Sequence, residues 1–207
     1  MIIEMRTYQL KPRSQPETIK RFGEALPARL KFSPLGGFFS TDVGALNRII
    51  HLWPYANLGE REHIRAEAVK SGAWPPKIGE FIEHMEAKIL IPAPFSPPLE
   101  PRQLGGIYEF RSYIYKPGSI PQVIDIWGKA IGERVKLSPL VGAWYSELGG
   151  LNKWCHIWAY KDAADRFRIR EEARAKGIWP PPAGGGPSMM IKQENMLVVP
   201  ASFSPLH

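Results

Sequence analysis

The strongest constraint on this chain is that it contains itself twice. Residues 3–76 align with residues 108–181 at a constant offset of 105, without a gap, and 31 of the 74 paired positions are identical. The identities fall in blocks. Glu4, Arg6 and Tyr8 match Glu109, Arg111 and Tyr113. Asn47, His51, Trp53 and Tyr55 match Asn152, His156, Trp158 and Tyr160. Trp74-Pro75-Pro76 matches Trp179-Pro180-Pro181. Farther on the offset becomes 108, and Phe95-Ser96-Pro97 matches Phe203-Ser204-Pro205, with the extra residues near Gly184-Gly185-Gly186. So long a period is a duplicated domain, because solenoid units run about 20–50 residues. The expected division is a first half over 1–98, a Pro-rich linker over 99–106 and a second half over 107–207.

Two copies of one pattern sharpen the reading of elements. Residues 2–10 alternate as a strand does. A helix opens at Pro16, where proline suits a helix start. Ile19, Phe22, Leu26 and Leu30 form its apolar face, repeated as Ile124, Trp127, Ile131 and Val135; Pro27 is expected to kink the first copy. Strands follow over 37–43 and 47–55 around a turn at Gly44–Leu46. Asn57 and Asp162 are N-caps of a second helix that ends at Gly72 and Gly177. Strands over 85–91 and 193–199 close the halves. Each half reads β-α-β-β-α-β, the ferredoxin-like order, and the fold class is α+β.

A sheet of this kind has one face under its helices and one face open. Ile50 and Leu52, with Cys155 and Ile157, are plainly apolar, so they are expected beneath the helices. Asn47, His51, Trp53 and Tyr55, with Asn152, His156, Trp158 and Tyr160, would then share the open face with Arg6, Tyr8, Arg111 and Tyr113. Two such aromatic faces left in water would be large apolar patches. Packing the halves face to face hides both, which predicts an internal pseudo-dimer with a ligand cavity between the half-domains.

Composition removes several function classes. No run approaches the ~18–20 apolar residues of a membrane span. Met1–Arg6 lacks a signal-peptide pattern, so a cytoplasmic location is expected. The single cysteine, Cys155, excludes a disulfide framework and a cysteine zinc site. The net charge of +7 is spread over both halves. Tandem β-α-β-β-α-β units also describe RNA-recognition domains, but the third strand lacks their aromatic signature, so no nucleic-acid partner is expected. Gly184-Gly185-Gly186 lacks the pattern of a phosphate-binding loop.

His51 and His156 are the candidate catalytic groups, as base, proton shuttle or axial metal ligand. The bland reading makes them buried structural histidines. Arg6 and Arg111 need an anion, supplied by Glu4 and Glu109, by Glu86 and Glu194, or by a ligand. Tyr8, Trp53 and Tyr55 and their copies suit an amphipathic small-molecule cavity. The ligand-binding set is therefore Arg6, Tyr8, Asn47, His51, Trp53, Tyr55, Arg111, Tyr113, Asn152, His156, Trp158 and Tyr160. Arg61 and Arg65, repeated as Arg166 and Arg170, could bridge one anion or pair with Glu62 and Glu67. The Trp74 and Trp179 loops could be lids or oligomer contacts, and a homo-oligomer is expected. No cofactor and no metal are expected, because no His or carboxylate spacing fits a metal site.

Arg6-x-Tyr8, Asn47-x₃-His51-x-Trp53-x-Tyr55, Arg61-x₃-Arg65, Trp74 and the closing Phe95-Ser96-Pro97, each recurring in the second half, resemble the NIPSNAP family of the dimeric α+β-barrel superfamily. The resemblance implies ferredoxin-like halves paired into a barrel, and no assigned reaction. Related barrels include cofactor-free monooxygenases and isomerases, which is analogy of fold alone. The functional expectation is a small aromatic or apolar acid bound between the half-domains, with catalysis open. The alternative is a non-catalytic scaffold or oligomerisation protein with a sealed barrel; a monooxygenase or isomerase is the third reading.

Overall fold

The structure is a computed structural model, and it describes residues 1–181 and 189–207. The first half runs β1 (Ile2–Leu10), α1 (Gln15–Leu30), β2 (Gly37–Val43), β3 (Arg48–Tyr55), α2 (Leu58–Lys70) and β4 (Ile82–Pro92). The second runs β5 (Ile107–Tyr115), α3 (Ile120–Arg134), β6 (Leu140–Leu148), β7 (Lys153–Tyr160), α4 (Ala163–Ala175) and β8 (Met190–Pro200). Each half is β-α-β-β-α-β, as the repeat predicts. The Gly184-Gly185-Gly186 insertion lies outside the described residues.

Local signals behave as written. Asn57 Oδ1 accepts the Glu60 N–H at 2.9 Å, and Asp162 Oδ1 accepts that of Asp165 at 2.8 Å, so both predicted N-caps form. Helix α1 continues past Pro27 to Leu30. Its buried face departs from the expected one: Leu30 and Val135 are exposed, while Arg29 and Arg134 are buried. The helical period of 3.6 places position 29 rather than 30 over Phe22 and Leu26.

The eight strands described close into one barrel in the order β1-β3-β2-β8-β5-β7-β6-β4. The halves join through β2–β8, with Ser40 opposite Val199, and β4–β6, with Ile91 opposite Tyr145. Closure leaves no free sheet edge. The interior holds Ile3, Met5, Phe39, Ile50, Leu52, Leu90, Tyr108, Phe110, Trp144, Cys155, Ile157 and Val198, drawn from both repeats. At the β6 bulge, a Cβ on Gly142 would lie 1.9 Å from the Trp144 ring, so only glycine lets that indole turn inward. The segment between the halves is pinned: the Arg102 N–H donates to the Pro205 carbonyl at 2.9 Å.

The pseudo-dimer forms as expected, but the expected faces are exchanged. Ile50, Leu52, Cys155 and Ile157 point into the barrel. His51, Trp53 and Tyr55 lie under the helices of their own half, packed with Phe22 and Leu26 of α1 in one aromatic layer. His156 likewise lies against Trp127 of α3, ring centroids 4.5 Å apart. A strand has only two faces, so one wrong assignment inverts every side chain on it. The physical reason is charge. The barrel interior is lined by apolar side chains of both repeats, Trp144 among them. The other face carries Glu4 and Glu109, whose guanidinium partners Arg61, Arg65, Arg166 and Arg170 come from α2 and α4, so that face must lie under the helices.

Candidate functional site

Each half carries a pocket between its sheet and its helices. The first is about 380 Å³ and is walled by Arg6 and Tyr8 of β1, Phe22 and Arg29 of α1, His51, Trp53 and Tyr55 of β3 and Arg65 of α2, with Trp74, Pro75, Pro76, Ile78, Ile82 and Met85 completing the rim. The second is about 260 Å³ and is walled by Arg111, Tyr113, Arg134, Trp158, Arg170, Arg174, Trp179 and Gln193. The expected cavity between the half-domains is therefore not where the histidine and tryptophan face gathers. A cavity of about 310 Å³ does open at one end of the barrel, walled by Met5, Ile50, Phe110 and Cys155 with Lys88 and Lys153. Of the predicted ligand residues only Arg111 and His156 reach it.

The register explains the grouping. Arg6 stands opposite His51 and Glu4 opposite Trp53 on β1 and β3, and the second half repeats this with Arg111 opposite His156 and Glu109 opposite Trp158. Facing pairs on one side of an antiparallel ladder touch. Asn47 and Asn152 do not join them. Both hold the left-handed backbone of the turn before the third strand, at φ 56° and 55°, and their carbonyls accept the N–H groups of Leu10 and Tyr115. Asparagine suits that conformation, so these two are turn residues.

Glu4 anchors the site. It is fully buried, and its Oε1 accepts Arg6 Nη1 at 3.0 Å and Arg61 Nη2 at 2.6 Å, while Arg65 Nη1 stands 3.7 Å from Oε2. Glu109 holds Arg111 and Arg166 at 2.6 Å each and Arg170 at 3.4 Å. Arg61 and Arg65 thus reach down to the sheet instead of pairing with Glu62 and Glu67. Glu86 and Glu194 serve Lys88 and Lys192, not Arg6 or Arg111. Burial works to raise the Glu4 carboxyl, but the Arg61 hydrogen bond and the charges of Arg65 and Arg6 hold it below its ordinary value.

Arg29 is the residue that hydrophobic periodicity missed. It is 2% exposed, donates to Ser33 Oγ at 2.8 Å and Tyr55 Oη at 2.9 Å, and lies 4.4 Å from the Trp53 ring centre. Its side-chain partners among the described residues are these neutral groups and no carboxylate. Arg134 repeats the arrangement on Ser138, Tyr160 and Trp158. A guanidinium held by neutral oxygens and an indole face keeps its full charge at a buried site. The signal was present in the repeat, since Arg29, Ser33 and Tyr55 equal Arg134, Ser138 and Tyr160.

His51 completes the first pocket. Its Nδ1 accepts the Trp53 indole N–H at 2.6 Å, which places the imidazole proton on Nε2. That Nε2 is buried without a hydrogen-bond partner among the described residues. Burial first, then the charges of Arg6, Arg65 and Arg29, drive its pKa well below the ordinary histidine value, so the ring is neutral. His156 is neutral for the same reasons, with Arg111, Arg170 and Arg134 as neighbours, and there Nδ1 is the unpartnered atom. Trp74 meets Phe22 edge-on at 5.1 Å and Trp53 at 6.1 Å, so its loop is a wall of the pocket. Among the described residues no group of His, Cys, Asp or Glu is arranged to hold a metal ion, and no helix is long and apolar enough to cross a membrane.

With this geometry in hand, comparisons with known proteins are informative. The sequence model of the NIPSNAP family matches residues 3–97 and again 108–205. Human "Protein NipSnap homolog 3A" is 30% identical over 215 residues, covering 98% of this chain and 85% of that protein. A solved "uncharacterized NIPSNAP domain protein" from Burkholderia xenovorans is 30% identical over 47% of this chain and 100% of its own, with a TM-score of 0.45. The structure of an "anthrone oxidase-like protein" covers 99% of this chain and 93% of its own at a TM-score of 0.64 and 10% identity, a likeness of fold.

Proposed function

The chain belongs to the NIPSNAP family, and from that premise we propose that it binds the anion of a small aromatic or apolar acid in the pocket between sheet and helices of each half. One observation carries the reading. Among the described residues the buried Nε2–H of His51 is without a partner, in a pocket whose lining holds Arg6, Arg29 and Arg65 and no carboxylate. A buried donor left unpaired costs about 1–3 kcal/mol, which an accepting ligand atom recovers. The first pocket's volume of about 380 Å³ lies within the ~300–1,000 Å³ range of small-molecule sites and the rest of its wall is aromatic or aliphatic, while the second pocket, at about 260 Å³, suits a smaller anion.

The same geometry favours binding over base-catalysed isomerisation. The Nδ1 lone pair of His51 is taken by Trp53, and no acid lines the pocket. The sealed-scaffold alternative finds its support in the side chains packed inside the barrel, but it leaves unexplained the helix-side pockets and the cavity at one end of the barrel. Homo-oligomerisation stays within the proposal, with Val69 and Phe167 as exposed apolar positions on α2 and α4.

Titration with benzoate tests the proposal, read by calorimetry and by quenching of indole fluorescence, because Trp53 and Trp74 flank the site. Saturable binding is expected, weakened at least tenfold in Arg29→Met/Arg134→Met, which alters both pockets. Absence of binding at millimolar benzoate, with wild-type melting intact, removes the proposal.

A further inference from the structure

Resting on that binding reading, we propose that the pocket takes a phenolic ligand as its phenolate: the ligand O–H ionises on entry, its proton leaves to solvent, and the bare oxygen accepts the His51 Nε2–H. The balance is simple. One O–H bond breaks, one proton is released, and nothing is oxidised or reduced.

The argument begins with what the pocket offers a hydroxyl. A neutral phenol must donate as well as accept, and each side-chain acceptor on the wall already takes one N–H, so a phenol proton would compete with a guanidinium or an indole there. His51 Nδ1 accepts from Trp53, Tyr8 Oη from Arg6 Nε at 2.8 Å, and Tyr55 Oη from Arg29. A phenolate needs only donors, and the buried Nε2–H of His51 is one without a partner among the described residues.

Charge points the same way from every packed element. Strand β1 brings Arg6 and the buried Glu4, α1 brings Arg29, α2 brings Arg61 and Arg65, and β3 adds only the neutral Tyr55 and His51. Trp74, Pro75, Ile82 and Met85 on the remaining wall are uncharged. Four guanidinium groups therefore face one carboxylate. An ionised oxygen gains from that excess and a neutral hydroxyl does not. Glu4 lies outside the lining and is held ionised by Arg61, Arg65 and Arg6, so it does not take the proton, which goes to solvent. The second half keeps the charge pattern, with Arg111, Arg134, Arg170 and Arg174 in its wall and no acid among the described residues, but His156 is not part of that wall and its unpartnered atom is Nδ1.

The probe is 4-nitrophenol, whose phenolate alone absorbs in the visible, titrated across pH with and without saturating intact protein. The expected result is a bound-dye midpoint lowered by about one unit or more, equivalent to a tenfold preference for the phenolate. Proton release into weak buffer should match the bound neutral dye. The double variant Arg65→Gln/Arg170→Gln changes two guanidinium groups that are 37% and 28% exposed and leaves each buried carboxylate two other arginine partners; it should return the midpoint part of the way, with melting curves checking that it is folded. His51→Phe/His156→Phe should return it further. A dye that binds with its free midpoint overturns the phenolate inference while benzoate binding leaves the anion pocket standing. Loss of both ligands removes the pocket reading itself. A lowered midpoint untouched by either double variant also overturns the inference, because the cause then lies outside these residues.

Discussion

Trp53 donates its indole N–H to His51 Nδ1 across 2.6 Å, two residues apart on the same face of β3. That bond sets the tautomer, and the tautomer turns the imidazole from a base into a donor. Nitrogen-15 spectra of the imidazole should therefore show a protonated Nε2 and a bare Nδ1 for His51 from pH 8 down to the onset of acid unfolding. Trp53→Phe keeps an aromatic ring but frees Nδ1. Affinity for benzoate at the first pocket should drop about tenfold, the scale of one hydrogen bond of about 1–1.5 kcal/mol. Unchanged affinity together with an unchanged tautomer would show that the indole does not set the donor.

Glu4 carries the whole negative charge of the first cluster, and three guanidinium groups lean on it. Glu4→Gln keeps the shape and leaves those cations uncompensated. Breaking one side of a buried pair costs about 3–5 kcal/mol, so urea denaturation should show a loss on that scale. Because the site becomes more positive, benzoate should raise the melting temperature of the variant more than that of the wild type. Equal shifts in the two proteins would mean that the cluster and the pocket are electrostatically separate.

Much of this architecture is written in the repeat, and the part that misled has a definite cause. The element order, the Asn57 and Asp162 caps and the pairing of halves follow from spacing that recurs at one offset, whereas the last strand of each half begins three residues before the expected 85 and 193. The faces did not follow, because alternation tells which residues travel together and not which cover they travel under. Ile50 and Leu52 would be apolar on either side. Only barrel closure, a long-range property of β2 with β8 and β4 with β6, decides the matter. Arg29 was hidden differently. A buried cation interrupts an apolar stripe, so a search for hydrophobic period passes over it, while its identity with Arg134 marks it. Glu4 as the partner of Arg61 and Arg65 was illegible, since the pairing spans 57 positions from Glu4 to Arg61 and depends on helix α2 crossing back over β1.

Arg29 joins α1 to β3 through Tyr55 and lies against the Trp53 ring. Burial pulls its pKa down and the Tyr55 hydroxyl partly offsets this, which leaves a charged group without a carboxylate partner. Arg29→Met removes the desolvated charge and keeps most of the stem. Stability should therefore change by less than about 2 kcal/mol, as apolar replacement of buried ions often does. Anion affinity should fall by tenfold or more. Arg29→Lys should rescue it incompletely, because an ammonium cannot bond Ser33 and Tyr55 while stacking on an indole. Full rescue by lysine would show that charge alone matters at this position.

Acid sensitivity follows from the two imidazoles. His51 and His156 are held neutral in the fold, by burial first and by neighbouring guanidinium groups second, with pKa values well below 6.5. In the unfolded chain they protonate near 6.5. Below that pH the unfolded state binds protons that the folded state refuses, so stability falls as pH falls and is independent of these groups above it. Each histidine contributes a slope of about 1.4 kcal/mol per pH unit. Glu4 and Glu109 act later, because their lowered pKa values stabilise the fold above about 4.5 and lose that effect only as pH drops through the folded value. Urea unfolding free energies should thus be flat from pH 8 to 7 and decline between 6.5 and 5, before the carboxylates titrate. In His51→Phe/His156→Phe the decline over 6.5 to 5 should flatten whatever the starting stability. A wild-type profile flat down to pH 5 would mean that the buried imidazoles accept protons in the fold, and the donor role assigned to His51 would go with it.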